Sequence, residues 1–250
     1  HDGKKVTGVE LGDGTSIASE IVVANADASL VYNKLISGKV SKLKRTRKNL
    51  AKAEPSLAGF SLLLGLRPSD KPSGLSHHNV LFPKDYDQEF EDIFNRKVPV
   101  ADPTIYICAP NDDAMVKHPG HEAWFVLVNA PRHSESGVDG FNWSDKDANH
   151  RYAMQIIDAI EARGISVRDR LEVLEIRTPA DLERTVMAPG GSIYGSSSNG
   201  ARSAFLRAKN RSPLKGLYCV GGSAHPGGGL PLVGLSAEIV AQAVVGPTTH

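Results

Sequence analysis

Glycines and prolines crowd one stretch near the end of the chain. An apolar run at residues 217–220 precedes it, helical spacing follows it, and residues 221–231 hold five glycines and two prolines. Backbone N–H groups in such a loop can approach a ligand closely, and the start of the next helix favours an anion. A strand-to-helix turn that binds nothing has the same pattern. Neither generic nucleotide motif, G-x-G-x-x-G or G-x-x-x-x-G-K-[ST], occurs, so both interpretations stay open.

Histidine pairs are the first candidates for a metal site. His77 adjoins His78, and His118 lies close to His121 across a Pro-Gly turn, so the second pair does not share one helical face. No cysteine or acidic residue close in sequence completes a tetrahedral set for either pair. The sequence therefore predicts no metal centre.

Nucleophilic catalysis is equally poorly supported. Ser223 and His225 lie two residues apart, but no third member of a triad is indicated and no G-x-S-x-G motif occurs. Asp112 and Asp113 are predicted to cap a loop. No catalytic residue is assigned, and a bound cofactor with its own chemistry would explain a site that mainly binds and orients.

The composition excludes several broad classes of protein. The chain has 250 residues with 29 basic and 28 acidic side chains, so no overall charge favours nucleic acid. It has no run of 18 apolar residues that could span a bilayer, and its polar first residues predict no signal peptide. Cys108 and Cys219 each lie in an apolar run and are predicted to be buried core thiols in a reducing, cytoplasmic compartment.

Apolar periodicity gives the elements that must position these residues. Strands are predicted at residues 6–11, 17–24, 56–66, 78–82, 104–109, 122–130, 171–177 and 217–220. Helices are predicted at residues 29–35, 85–94 and 144–163, after Thr178, and after the glycine-rich loop with Leu235, Ile239, Val240 and Val244 on one face. Strands separated by loops in the middle of the chain favour a mostly antiparallel sheet.

Residues 39–52, here called the basic segment, hold seven basic side chains and no acid. These are Lys39, Lys42, Lys44, Arg45, Arg47, Lys48 and Lys52. Val40, Leu43 and Leu50 keep a rough helical spacing among them, as in a helix that lies on an anionic membrane. A solvated helix face that binds nothing is the alternative.

Several stretches together resemble the FAD-dependent carotenoid desaturases, the bacterial phytoene desaturase family. Residues 210–231 resemble the C-terminal signature of that family. Residues 6–27 resemble the hairpin and return strand of its flavin domain, residues 62–66 with 77–82 its substrate-domain sheet, and residues 188–195 the loop before its last segment. The combination is specific and covers nearly all of the chain.

The resemblance implies an α/β (α+β) fold in two parts. Residues 1–27 and 213–250 would be pieces of an incomplete FAD-binding, Rossmann-like domain. Residues 28–212 would be a substrate-binding domain with helices and a mixed, mostly antiparallel sheet. Family members are roughly twice this length and begin with the main dinucleotide fingerprint. The chain is therefore expected to be a C-terminal part that by itself lacks both bound FAD and activity.

The resemblance also implies a site and a reaction. Residues expected to lie against the flavin and its pyrophosphate are Gly221, Gly222, Ser223, His225, Pro226, Gly227, Gly228, Gly229, Leu230 and Pro231. In the full-length protein, hydride would pass from a long apolar polyene to FAD. Leu232 stands where many phytoene desaturases have glycine, which favours a later desaturation step or another branch of the family. His225 is expected to shape the loop by hydrogen bonding.

Such an apolar substrate would be taken from a membrane, so the basic segment is expected to dock a cytoplasmic protein peripherally on the bilayer. Two alternatives stay open: a flavin amine-oxidase-like enzyme with a polar substrate, and a non-catalytic binding module on the same fold. An apolar tunnel lined by strands 56–66 and 122–130 would favour the desaturase. A compact polar cavity would favour the alternatives.

Overall fold

A computed structural model describes residues 1–70, 73–110, 112–116, 118–197 and 207–246. The chain forms two compact units, one from residues 1–56 with 186–250 and the other from residues 57–185. Each unit contains a hydrophobic core. No helix in the described ranges is long and apolar enough to cross a bilayer.

The first unit contains a hairpin and a parallel strand pair. Strands β1 (Gly8–Glu10) and β2 (Ser16–Ala18) form the antiparallel hairpin, and β3 (Val22–Ala24) pairs in parallel with the strand Leu217–Cys219. The single strand predicted at residues 17–24 is therefore wrong. The chain turns between β2 and β3, where the Ser19 hydroxyl donates to the Ile21 carbonyl (2.6 Å).

Three α-helices lie in the described part of this unit. Helix α1 (Ala28–Leu30) runs into a π-helical turn, Val31–Leu35, and the N–H groups of Ser29 and Leu30 donate to the Asp27 carboxylate. Helix α2 (Lys44–Lys52) carries most of the basic segment. The last helix of the chain, Leu230–Val245, follows the glycine-rich loop.

The core of the first unit explains where its boundary lies. Val31, Tyr32 and Leu43 pack in one buried cluster with Leu214 and Leu217. Residues 28–56 therefore fold with the strands of the first unit, whereas the predicted boundary stood at 27/28. The second division between the compact units lies at 185/186, whereas the second predicted domain boundary stood at 212/213, and both predicted boundaries stay predictions. The functions predicted for the two parts stay predictions, and residues 247–250 lie outside the described ranges.

The second unit is built on a five-stranded antiparallel sheet in the order β5-β6-β7-β4-β8. Its strands are β4 (Ala58–Leu66), β5 (His78–Leu81), β6 (Ile105–Cys108), β7 (Glu122–Ala130) and β8 (Leu171–Arg177), and the strand Leu217–Cys219 is β9. The α/β fold class and the mostly antiparallel sheet are thereby confirmed.

One face of the sheet is covered by helix α4 (Lys146–Glu161). The covered side chains alternate along the strands, and the central ones, such as Phe60, Leu62 and Val126, are essentially inaccessible to solvent. Ile156, Ile157 and Ile160 of α4 pack on them. Two shorter helices, α3 (Tyr86–Phe90) and α5 (Pro179–Val186), also lie in the described part of this unit. The last helix of the first unit, Leu230–Val245, is called α6.

The opposite face of this sheet, here called the open face, is half-exposed or exposed. Cross-strand pairing places His78, Cys108, Phe125, Leu63 and Glu175 in one row across all five strands. The next row consists of Val80, Tyr106, Leu127, Ser61 and Arg177. The open face is thus apolar in the middle and polar at both edges.

Candidate functional site

The glycine-rich loop leaves β9 at the carboxyl end of a parallel strand pair. Val22 lies opposite Leu217 and Ala24 opposite Cys219, and the Val220 N–H donates to the Ala24 carbonyl (3.0 Å). Open parallel sheets bind ligands just outside the carboxyl ends of their strands. The loop therefore lies where a cofactor site is expected from topology.

Close backbone approach joins the two strand ends. Gly221 has φ 101°, and a Cβ there would overlap the Asn25 side-chain oxygen, so only glycine fits without strain. The Ser223 hydroxyl accepts a bond from the Ala28 N–H (2.9 Å) and lies 3.3 Å from the Ala26 carbonyl. Ser223 therefore fastens the loop to the start of α1, which is a structural role.

A buried polar pair holds the inner side of the loop. The Asn210 amide nitrogen lies 2.8 Å from the His225 carbonyl, 3.1 Å from the Cys219 carbonyl and 3.0 Å from the Ser236 hydroxyl. The Ser236 hydroxyl also accepts from the Gly221 N–H (3.2 Å). Ser236, on α6, is completely buried, so helix, strand and loop are locked to one another.

Arg207 fastens the loop to a second glycine-rich segment. Its guanidinium donates to the carbonyls of Gly222 (2.6 Å), Tyr194 (3.0 Å) and Ser196 (2.9 Å). Burial lowers the pKa of Arg207, while the charge of Asp27 raises it. The resemblance drew attention to residues 188–195, but nothing in the sequence indicated that Arg207 would bind this segment to the loop.

Burial also raises the pKa of Asp27, although N–H donors from Ser29 and Leu30 and the charge of Arg207 oppose the shift. A charged carboxylate here is therefore less favourable than in water. The carboxylate of Asp27 and the guanidinium of Arg207 are therefore both partly shielded from water near the strand ends.

The outer part of the loop is more exposed. A Cβ on Gly228 would lie 3.0 Å from Tyr194 Cγ and closer still to Cδ1, so the tyrosine ring rests directly on the backbone. His225 is exposed and precedes Pro226 through a cis peptide. The His225 N–H donates to the Ala208 carbonyl (2.8 Å) and its carbonyl accepts from Asn210. The residue shapes the loop through its backbone.

Helix α6 begins at the end of the loop with its first turn open. Its N-cap is Gly229 at φ 95°, no side chain among the described residues caps it, and Pro231 lies in the first turn. Leu230 is 89% exposed. The N–H groups of a first helical turn have no acceptor within the helix, and the helix dipole favours an anion there. All ten predicted residues thus lie on one continuous segment from β9 to α6.

The amphipathic stripe predicted for α6 is only partly present. Val240 is buried, but Leu235 is 45% exposed, and the completely buried residue is Ser236. Because Leu, Val, Ile and Ala occur nearly all round this helix, sequence periodicity could not identify the face that packs. Leu230, Leu232 and Val245 are exposed as well.

The two cysteines differ in how far they are buried. Cys219 is buried as predicted, its thiol lies 3.6 Å from the Tyr32 hydroxyl, and burial raises the pKa of the thiol. Cys108 is half-exposed, so its prediction as a core thiol is wrong: the alternation of β6 turns Ile105 and Ile107 to the core and Cys108 to the open face. Asp112 caps the next turn, as predicted.

The structure also brings Cys108 beside His77 and His78, a grouping that the sequence did not reveal. Candidate ligand atoms of the three residues all lie within 4.8 Å of one another. Thirty residues separate the histidines from the cysteine, so only the pairing of β5 with β6 could have disclosed it.

No protein-family model matches the chain. Several curated proteins do. The 1-hydroxycarotenoid 3,4-desaturase of Flavobacterium sp. is 36% identical over all of this chain and 48% of that protein. The hydroxyneurosporene desaturase of Rubrivivax gelatinosus is 32% identical over 98% of this chain and 45% of that protein. The lycopene-forming phytoene desaturase of Paracoccus sp. is 30% identical over 98% of this chain and 48% of its own length.

The chain thus spans about half the length of the curated relatives it matches. A solved structure of an oxidoreductase from Methanosarcina mazei superposes with a TM-score of 0.59 at 16% identity, over 97% of this chain and 47% of that one. At that identity the match supports the fold alone.

Proposed function

Because this chain belongs to the phytoene desaturase family of carotenoid desaturases, we propose that it is the C-terminal part of a FAD-dependent enzyme that dehydrogenates a carotenoid precursor. The relatives' names include desaturases of phytoene, hydroxyneurosporene and 1-hydroxycarotenoids. The choice among these substrates is left to experiment.

The observation that carries the cofactor proposal is the open first turn of α6 behind a loop of closely packed backbone. A phosphate group fits such a place because N–H donors and the helix dipole converge on it. The lack of a side chain at Gly229, where a Cβ would meet nothing within 4 Å, leaves room for a ligand along the backbone. When bound, FAD would accept the hydride that leaves the polyene.

This chain's own residues would then bind and orient the flavin. Arg207 holds the loop at the Gly222 carbonyl, Asn210 holds it at the His225 carbonyl, and Ser236 holds the Gly221 N–H. A ligand contacted mainly by backbone needs a backbone that does not move. The three buried polar side chains are thus positioning residues.

In the second unit, we propose the open face as the surface along which the polyene lies. It contains an apolar depression of about 320 Å³, whose lining includes Leu63, Met115, Phe125 and Val173. Leu63 is 37% exposed and Val173 56% exposed, so apolar surface is available to an apolar chain. This is the feature that favours the desaturase over an enzyme with a polar substrate.

The basic segment supports a proposed peripheral contact with the cytoplasmic face of a membrane. Arg47 is not available for it, because its guanidinium donates to the carbonyls of Tyr32 (2.7 Å), Ile36 (3.0 Å) and Gly38 (3.2 Å). Lys42, Lys44, Arg45, Lys48 and Lys52 are the basic side chains that remain on or next to α2. Each adds roughly 1 kcal/mol of attraction near an anionic surface.

Flotation with vesicles tests this contact. The full-length protein should float with vesicles containing an anionic lipid at low salt and remain unbound with neutral vesicles. Exchanging Lys42, Lys44 and Lys48 for Glu should abolish flotation, whereas Lys84→Glu in the second unit should not. Equal flotation of the triple variant would refute the proposed docking face.

Product analysis of the full-length protein tests the activity. Purified protein with FAD should convert at least one acyclic or hydroxylated carotenoid precursor to a product that lacks two hydrogens per step and absorbs at longer wavelength. Formation of an oxygenated product would place the protein with relatives such as the 4,4'-diaponeurosporene oxygenases. Bound flavin with turnover of a polar amine instead would refute a carotenoid substrate.

A further inference from the structure

His77, His78 and Cys108 form a cluster at the β5 edge of the sheet in the second unit. Their ligand atoms, one ring nitrogen from each histidine and the cysteine Sγ, all lie within 4.8 Å of one another. The rings of His77 and His78 are 4.4 Å apart, centroid to centroid. The cluster depends on neither the glycine-rich loop nor the proposed enzyme activity.

Strand pairing brings these side chains together. His78 lies directly opposite Cys108 in the β5–β6 ladder, so both side chains lie on the open face. The Ala109 N–H donates to the His77 carbonyl (2.9 Å), which continues the pairing one step beyond β5. His77 leads into the strand from a bend, and its ring turns to the same side as that of His78.

Tyr106 supports the cluster from the next position on the same face. Its hydroxyl lies 2.8 Å from His78 Nδ1, and the two rings stack at 6.0 Å. The phenol hydroxyl therefore contacts His78, which orients one of the three ligand groups.

We propose that His77, His78 and Cys108 bind a Zn²⁺ ion. Two imidazoles and one thiolate form a ligand set that zinc prefers. Tetrahedral zinc requires its ligand atoms about 3.4–3.6 Å apart. The exposed histidines can close the remaining distance by small rotations. Water occupies the fourth position, because both histidines face solvent.

Binding has a simple proton balance. The Cys108 thiol becomes a thiolate as the Zn–S bond forms, and its proton passes to the solvent, while each neutral imidazole donates a lone pair. No electron is transferred. Affinity must therefore rise with pH until the thiol and both imidazoles are deprotonated in the metal-free protein.

The ion would join the edge strand β5 to β6. β5 is a four-residue strand at the edge of the sheet, and its neighbour in the sheet is β6. A cross-link at His77 and His78 would fix the end of this strand beside the apolar row of the open face. Zinc should therefore raise the temperature at which the second unit unfolds.

Titration with Zn²⁺ and Co²⁺ tests the site, using full-length protein without a histidine tag. Calorimetry should give one ion per chain with release of a proton, and Co²⁺ should show a thiolate charge-transfer band in the near ultraviolet. Cys108→Ser should remove the band and weaken Zn²⁺ binding at least tenfold. His78→Ala should weaken it similarly and keep a weaker band.

His118→Ala is the matched control. It lies in the other close histidine pair, whose rings are 5.3 Å apart, and it should leave both the affinity and the band unchanged. Circular dichroism of each variant separates loss of binding from loss of folding, and His77→Ala serves as the ligand variant if His78→Ala does not fold. Undiminished binding in Cys108→Ser, loss of binding in His118→Ala, or no saturable binding would overturn the proposal.

Discussion

Adding a side chain at Gly228 tests the proposed flavin loop most directly. A Cβ there would lie 3.0 Å from Tyr194 Cγ and nearer to Cδ1, which is inside normal van der Waals contact. Either the ring or the loop must move. Tyr194 is 42% exposed, but Arg207 holds its carbonyl, so the ring can turn only about a fixed backbone.

Overpacking of this kind costs about 1–3 kcal/mol, which is roughly a 5- to 150-fold loss of affinity if the loop carries the displacement. Gly228→Ala should therefore weaken FAD binding within this range. Gly228→Val, which adds two further methyl groups, should abolish it. The assay is the ratio of flavin absorbance to protein absorbance in the purified full-length protein, followed by titration of the apoprotein with FAD.

Two variants check the reason for the loss. Gly234→Ala is the matched control, because Gly234 lies in α6 and a Cβ there would meet nothing within 4 Å. It should retain flavin and stabilise the helix by about 0.5–1 kcal/mol. Tyr194→Ala combined with Gly228→Ala removes the obstructing ring and should restore binding. Normal flavin content in Gly228→Val would refute the role of the loop, and failure of the rescue in a folded double variant would refute the steric reason.

Three further predictions concern stability and pH. Glu89 is completely buried and accepts from two N–H groups, so Glu89→Ala should lower the free energy of unfolding by about 2 kcal/mol in urea titrations, and Glu89→Gln by less. Thr178 and Asp181 cap α5 reciprocally, so Thr178→Ala should cost about 1 kcal/mol, and an unchanged value would show that the cap is not needed. Because the folded state raises the pKa of Asp27, stability should fall as pH rises through and above 3.8. The wild type should therefore lose stability relative to Asp27→Asn as the pH rises from 3.8 to the raised pKa of the folded state, and a constant difference would contradict the burial argument.

Strands with a strict period of two were predicted almost to the residue. β7 and β8 lie at residues 122–130 and 171–177, as predicted. In each strand, successive side chains alternate between the core and the open face, and this alternation is visible in the sequence. The turn between β2 and β3 was missed because Ile17 and Ile21 give the same apolar pattern on either side of Ser19. Both isoleucines are exposed in the structure, so their apolar pattern indicated neither burial nor hydrogen-bond partners.

In the candidate site, the sequence predicted the loop but not the side chains that hold it in place. The sequence located every glycine of the loop, since glycine itself marks close backbone approach. It gave no sign of Arg207 or Ser236, because a single arginine or serine is common and its partners are carbonyls and N–H groups that any residue supplies. The cluster of His77, His78 and Cys108 was missed for a related reason: its members meet only through strand pairing.

The two parts of the loop thus have different requirements. Its inner part depends on side chains that bind backbone, so changes at Asn210 or Ser236 should alter the shape of the site without touching a ligand. Its outer part depends on the absence of side chains, so almost any substitution at Gly228 should obstruct it. A flavin site would need both, because first-turn N–H groups attract an anion only when the loop holds them in place and nothing stands in front of them.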